Sequence, residues 1–286
     1  MRIAIASGKG GTGKTTLAVN LSLKLAETTS TVLLDLDVEE PNSGIFLSGD
    51  AITTHKALRR VPQWEQKACT ICGKCPSYCR YNAIIRLGDH IMVLPELCHS
   101  CFACSELCPA QALPMQGLPL GTIRLFKSGT LDFVECRLDI GLEQASPLIS
   151  QGLSYIDQHF ARHQYQILDN PPGTSCAMIS AAKTADYAIL ITEPTPFGLY
   201  DLSLAVETMR HIGIAFGVVV NRWGIGNNDI LEYLKREEIP LLAKIPHSRA
   251  IAASYSKGEI LYQSFPEFDD ALKLIISHLE ARCQKK

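Results

Sequence analysis

The chain has no run of about 18 apolar residues, so the sequence predicts no membrane-spanning helix. It also lacks a charge excess: 27 Lys and Arg against 29 Asp and Glu leave a net charge of −2. That balance makes no electrostatic case for nucleic acid or an anionic membrane as a partner. A secretory leader is not expected, because the apolar run Ile3-Ala4-Ile5-Ala6 is short and passes straight into a glycine-rich loop. What remains is 286 residues, 47% hydrophobic and 20% charged, the profile of a globular cytoplasmic protein with one large or two smaller domains. Cysteine is abundant. Eight of the eleven fall in two tight runs, which reads as metal binding rather than a disulfide framework.

The N-terminal loop is Ser7-Gly8-Lys9-Gly10-Gly11-Thr12-Gly13-Lys14-Thr15-Thr16. A short apolar strand precedes it, and a helical pattern with Leu17, Leu21 and Leu25 on one face follows. Strand, glycine-rich loop and helix are the context of a phosphate-binding loop. Glycine permits backbone conformations that turn successive N–H groups toward one anion, and the helix start adds free N–H groups and a positive dipole end. Gly10, Gly11, Thr12, Gly13, Thr15 and Thr16 would form the cradle. Lys14 would reach the β- and γ-phosphates of ATP, and the Thr15 hydroxyl would ligate Mg²⁺.

The cysteine runs are Cys69-x-x-Cys72-x-x-Cys75-x-x-x-Cys79 and Cys98-x-x-Cys101-x-x-Cys104-x-x-x-Cys108-Pro109. They form an internal repeat with an offset of 98 − 69 = 29 residues, which extends to Ala83 and Ala112. Three thiolates at this spacing hold one corner of a cubane, and the fourth cysteine of each run serves the other cluster. One 4Fe–4S cluster would therefore use Cys69, Cys72, Cys75 and Cys108, and the second Cys98, Cys101, Cys104 and Cys79. Paired Cys-x-x-Cys motifs also bind zinc, but four cysteines per run at this spacing favour iron–sulfur clusters. The first run ends Cys79-Arg80 where the second has Cys108-Pro109. Arg80 would leave its cluster more exposed or place a cation beside it, and His99 reads as an exposed loop residue rather than a ligand.

Further strands are expected at 31–37, ending in Asp35 and Asp37, and at 165–169, 187–191, 216–220 and 240–246. The segments 123–126 and 131–134 flank Ser128-Gly129-Thr130 as a hairpin. Helices are expected over about 147–162 and 266–282. Alternation of strands and helices implies an α/β fold with a doubly wound, mostly parallel sheet.

The loop form Lys-Gly-Gly-x-Gly-Lys-Thr-Thr resembles the deviant Walker A loop of the MinD/Mrp/nitrogenase-iron-protein class of P-loop ATPases. That resemblance implies that Lys9 crosses a dimer interface to the partner's nucleotide. Asp35-x-Asp37 followed by Pro41-Asn42 resembles switch I, which implies that Asp37 orients the attacking water near Mg²⁺ and that Asp35 supports it. Asp169-Asn170-Pro171-Pro172-Gly173 resembles Walker B and switch II, with Asp169 in the Mg²⁺ shell and Gly173 sensing the γ-phosphate. Glu193-Pro194-Thr195-Pro196-Phe197-Gly198 is similar to a MinD-type turn, and Asn221-Arg222 takes the place of the adenine-recognising asparagine. The cysteine segment looks like a bacterial two-cluster ferredoxin of the α+β kind.

The expected organisation is thus an ATPase domain in two parts, 1–60 and 118–286, with a ferredoxin-like insertion at 61–117. The resemblance implies an ATP-dependent homodimer or related heterodimer and a redox or metal-cofactor partner protein. It also implies no membrane anchor, since only Cys283 to Lys286 follow the last helix. Three functions fit: an ATPase coupling dimer closure to electron delivery or cofactor maturation, a MinD-like positioning switch with structural or sensing clusters, or a ferredoxin carrier with a regulatory ATP site. Cys136 and Cys176 read as buried structural thiols, with a dimer-bridging cluster as the alternative.

Overall fold

The computed structural model describes residues 1–47 and 49–283; the residues 284–286 expected to end the chain without an anchor lie outside them. The first elements are β1 (Arg2–Ala6), α1 (Lys14–Ala26), β2 (Thr31–Asp35) and β3 (Thr53–Pro62). The cysteine segment contributes α2 (Lys74–Tyr78), β4 (Ile84–Leu87), β5 (His90–Val93) and α3 (Ala103–Glu106). Then follow β6 (Met115–Ser128), β7 (Leu131–Leu138), α4 (Ala145–His159), β8 (Tyr165–Asp169), α5 (Cys176–Ala182), β9 (Tyr187–Thr192) and α6 (Pro196–His211). The last elements are β10 (Phe216–Trp223), α7 (Asp229–Arg236), β11 (Leu241–Pro246), α8 (Arg249–Tyr255) and α9 (Pro266–Cys283).

Nine strands form one sheet in the order β11-β10-β9-β1-β8-β2-β7-β6-β3. The strands from β11 to β7 are parallel, while β6 runs antiparallel to both β7 and β3. The central strands are apolar on both faces, as a doubly covered parallel sheet requires. Alternation sends Ile3 and Ile5 into one core with Leu17, Leu21 and the α9 residues Phe268, Leu272 and Ile275. Ala4 and Ala6 face a second core built with Leu202, Val206 and Met209 of α6. A third core joins Leu34, Leu36 and Val134 to Leu148, Ile149 and Ile156 of α4. The large mostly parallel α/β sheet read from the sequence is therefore present. Among the described residues no helix is long and apolar enough to cross a membrane.

Two local readings change. The strand expected over 31–37 stops at Asp35, leaving Asp37 on the following loop. The hairpin strands are longer than expected, and β6 pairs with β3, a strand the sequence reading did not register. The reason is visible in β3: Thr53 to Lys56 are exposed and only Ala57, Arg59, Val61 and Pro62 are buried, so it carries no apolar run. The ladder ends where Pro62 pairs with Met115, and the cysteine segment leaves and re-enters the sheet there.

The cysteine segment repeats in backbone as well as in sequence. Its left-handed non-glycine residues fall in register at the offset of 29: Asn82 (φ 53°) with Gln111 (φ 50°), and Ile71 (φ 53°) with Ser100 (φ 54°). Gly73 (φ 73°) and Phe102 (φ 64°) correspond likewise, each immediately before α2 or α3. Phe102 holds a conformation that favours glycine.

Candidate functional site

The loop after β1 is shaped by its glycines. Gly13 has φ 102°, and a Cβ there would meet Asn221 Nδ2 at 2.5 Å. A Cβ on Gly8 would lie 2.1 Å from the Asp201 carbonyl oxygen of α6. Lys14 opens α1 and is buried. The first turn of α1 has neither an acidic residue nor a side-chain cap, so its N–H groups are left for an anion. The Thr12 hydroxyl is buried without a partner.

Sheet register gathers the acids. Ile5 pairs with Asp169, Asp169 with Asp35, and Asp35 with Glu135, so these side chains share one face at the carboxyl ends of the strands. Asp35 and Asp169 are fully buried. Asp35 accepts hydrogen bonds from the backbone N–H groups of Asp37 (3.1 Å) and Ser43 (3.0 Å), which shape the switch loop. Ser43 Oγ donates to Asp169 Oδ2 at 3.4 Å, and Asp169 Oδ1 is buried without a hydrogen-bond partner. Burial pushes the Asp169 carboxyl up to about 6, against the pull of the Thr15 hydroxyl and Lys14. Asp37 is also pushed up to about 6 by burial, opposed by Lys14 and reinforced by Glu40 and Glu39. Asp35 is raised well above the carboxylate range by burial and then by Asp169. Crowded carboxylates and an unpartnered Asp169 oxygen fit a hard divalent cation, which takes oxygen ligands.

The loop after β8 and the β10 end close the same crevice. Gly173 (φ 83°) donates its N–H to the Ser7 carbonyl at 3.0 Å. Asn221 Nδ2 donates to the Thr12 carbonyl at 2.8 Å, and Arg222 Nη2 to the Gly11 carbonyl at 3.3 Å. Glu193, buried at the end of β9, receives Lys9 Nζ at 3.4 Å and Arg222 Nη1 at 2.5 Å. The fold thus brings Lys9, Lys14, Asp37, Asp169, Gly173, Asn221 and Arg222 around one loop. The turn at Glu193 is marked in the sequence, but its joining of Lys9 to Arg222 is not, and Ser43 has no local sequence signal; both roles come from elements that meet only in the fold.

The eight clustered cysteines are placed apart from this crevice, around two cavities. Cys69, Cys72, Cys75 and Cys108 line one with Trp64 and Pro109, and Cys104 reaches its wall. Cys79, Cys98, Cys101 and Cys104 line the other with Tyr81 and His99. Each cavity thus draws on both runs. Backbone N–H groups point at sulfur in repeated positions: Ala83 to Cys79 Sγ at 3.2 Å and Ala112 to Cys108 Sγ at 3.3 Å. Such donors suit thiolates that hold a cluster. Among the described residues no three His, Cys, Asp or Glu side chains converge as they would on a single metal ion, and a multi-iron cubane needs a wider ring of ligands. Burial pushes Cys104 up to about 11, with the neighbouring thiols adding to the shift. His99 and Arg80 are exposed, and His99 stacks on Tyr81 with ring centroids 3.8 Å apart.

Cys136 is buried beneath Gly152 of α4, whose added Cβ would lie 2.5 Å from its sulfur. Burial raises its thiol strongly, and Asp35 and Glu135 raise it further. It packs as a structural thiol. Cys176 is exposed at the start of α5, so the reading of it as buried does not hold.

Comparison with known proteins gives this geometry a family. Residues 3–261 match the family model described as the CobQ/CobB/MinD/ParA nucleotide binding domain. An uncharacterized protein of Methanocaldococcus jannaschii is 30% identical over 278 residues, covering 94% of this chain and 93% of that one. An iron-sulfur cluster carrier protein of Aquifex aeolicus is 25% identical over 290 residues; the match covers 94% of this chain and 64% of the relative. Among solved structures, the septum site-determining protein MinD of Pyrococcus horikoshii, complexed with Mg-ADP, superposes with a TM-score of 0.60. It is 20% identical, and the match covers 96% of this chain and 93% of that chain, so the likeness is one of fold. With its phosphate loop and carboxylates set at the strand ends, this chain belongs to the CobQ/CobB/MinD/ParA nucleotide-binding family.

Proposed function

We propose that the chain is a MinD/Mrp-type ATPase that carries two 4Fe–4S clusters and couples ATP-driven dimer closure to electron delivery or metal-cofactor maturation on a partner protein. The observation that carries the reading is the pair of cysteine-lined cavities, each built from both runs, in a chain whose phosphate loop is complete. The iron-sulfur carrier name of the Aquifex relative supports it.

In this reading Lys14 and the loop N–H groups hold the β- and γ-phosphates. Thr15, Asp37 and Asp169 hold Mg²⁺, which supplies charge neutralisation on the phosphates. Asp37, free of the strand and half-buried, orients the attacking water. Asn221 recognises adenine, with Arg222 beside it at the end of β10, and Lys9 reaches the nucleotide of the second subunit. Groups of the site hold internal partners: Lys9 on Glu193, the Gly173 N–H on Ser7, Asn221 on Thr12, and Arg222 on Glu193 and Gly11. ATP exchanges those contacts for contacts with phosphate and base. A ligand shifts a conformational equilibrium only through such differential contacts. When bound, a 4Fe–4S cluster supplies one-electron redox chemistry, and the cysteine quartets fix where it is held.

The test is linkage. If closure and redox state are coupled, reduction shifts ATP affinity by the same factor by which ATP shifts the redox equilibrium. ATP affinity is measured for oxidised and dithionite-reduced protein, with potentials taken with and without nucleotide. Reciprocal shifts are expected, together with a stable ATP-bound dimer for Asp37→Ala. Independence of the two quantities, with Asp37→Ala monomeric in ATP, overturns the coupling and leaves a MinD-like binding switch.

A further inference from the structure

Arg59 on β3 is a charge buried without a counter-ion. Its residue is 6% exposed, and it makes no ion pair among the described residues. Nη1 donates to the Pro95 carbonyl at 3.1 Å and to Gln144 Oε1 at 3.3 Å, and Nε is buried with no partner. Gln144 Nε2 donates in turn to the Glu96 carbonyl at 2.9 Å. Both carbonyls belong to the Pro95–Leu97 turn that leads directly into Cys98.

The position is a junction. The buried face of β3 presents Ala57, Arg59 and Val61 in alternation. Ala57 packs in the core covered by α4, while Val61 packs with Ala83, Cys98 and Cys79. Arg59 thus lies between the ATPase core and the cavity of the second quartet. Among the described residues the first quartet has no buried cation beside it: Lys74 and Arg86 are exposed, where solvent and salt screen them. A guanidinium cannot shed its proton, so burying one without an anion is unfavourable unless negative charge faces it. A cubane held by four thiolates is net negative, and one electron makes it more so.

We propose that Arg59 is the buried counter-charge of the cluster held by Cys79, Cys98, Cys101 and Cys104, and sets its reduction potential above that of the cluster held by Cys69, Cys72, Cys75 and Cys108. This rests on the two-cluster reading given above. An electron from an external one-electron donor then comes to rest on the second quartet, on the side that Gln144 joins to the start of α4. Arg59 acts as a positioning and tuning residue, since it touches the turn before Cys98 rather than the sulfur ligands.

The experiment is a redox titration of the anaerobically prepared full chain with dithionite, followed by electron paramagnetic resonance, with iron counted in every sample. In Arg59→Gln the iron stays at about eight per chain. One of the two potentials falls by about 59 mV or more, a tenfold loss in a one-electron equilibrium. Arg59→Lys keeps most of the potential. Gln144→Glu sets a carboxylate against the guanidinium and lowers the same potential with Arg59 in place, which decides the matter should Arg59→Gln fail to fold. In a Cys75→Ser background, where only the second quartet is complete, the fall persists. Full iron with unmoved potentials in Arg59→Gln, or in Gln144→Glu where that variant decides, overturns the assignment, as does an equal fall in both clusters. Wild-type protein that holds about four iron per chain or fewer after reconstitution overturns the two-cluster reading, and this assignment with it.

Discussion

The nucleotide crevice and the cysteine cavities are built in opposite ways. The crevice collects residues from Ser7 to Arg222, brought together because β1, β2, β8 and β10 end at one edge of the sheet. The cysteine cavities are filled from two short runs, Cys69–Cys79 and Cys98–Cys108, whose local backbone repeats at the same offset. One site depends on the register of a whole sheet; the other depends on two repeated turns, with each run placing its fourth cysteine at the other run's cavity. Their electrostatics differ as well. The crevice crowds carboxylates that burial and mutual repulsion push upward, whereas the second quartet has a buried cation at its back. Sites assembled in such different ways should be separable by single substitutions.

The largest expected effect tests that separation. Cys75→Ser and Cys98→Ser should each lower iron from about eight to about four per chain, since each quartet is complete without the other's local ligands. Both variants should still bind nucleotide, measured by fluorescent-nucleotide titration, with any change in affinity no larger than the shift that cluster reduction causes in the wild type. Loss of nucleotide binding in either would show the two sites to be one cooperative unit.

Lys14→Ala is the converse. Removing the buried ammonium that opens α1 at the phosphate loop should weaken nucleotide binding by about 1.5–3 kcal/mol, roughly 10- to 150-fold, with iron content unchanged. Lys9→Ala should spare most of the binding and remove turnover, because Lys9 is held at the rim by Glu193 rather than beneath the loop. Normal turnover in Lys9→Ala would end the case for its action across a dimer.

The smallest effect is on stability and sharpens the electrostatic contrast. Asp37 and Asp169 titrate near 6 in the folded chain, above the ~3.9 of an unfolded aspartate. The folded state therefore binds more protons between those values, so their contribution to stability is greatest at low pH and is lost as pH rises through about 6. In metal-free protein, Asp169→Asn should raise the unfolding temperature at pH 7.5, by the equivalent of about 1 kcal/mol or more, with a smaller gain at pH 5.5. Added Mg²⁺ should stabilise the wild type more than the variant. A gain independent of pH would mean that packing, rather than charge, is relieved.

The sequence by itself determined everything that is local in origin. The phosphate loop was legible because strand, glycines, Lys14 and helix are contiguous. The cysteine repeat was legible because its period is written in Cys69 to Ala112, and the buried strands because parallel strands covered on both faces are continuously apolar. Tertiary structure alone decided what depends on strands meeting at a distance. β3 is not legible in the sequence, because an edge strand half in water carries no apolar run, and neither is the burial of Arg59, which in sequence is one arginine beside another. Asp35 reads as a support residue, and only the fold shows how: it is fully buried opposite Asp169 and accepts the N–H groups of Asp37 and Ser43. Glu193 became the partner of Lys9 and Arg222 only when β9 and β10 were laid side by side. Cys176 and Cys136 are indistinguishable as letters; one lies exposed at a helix start and the other under α4, because burial is fixed by which face of which neighbour a side chain meets.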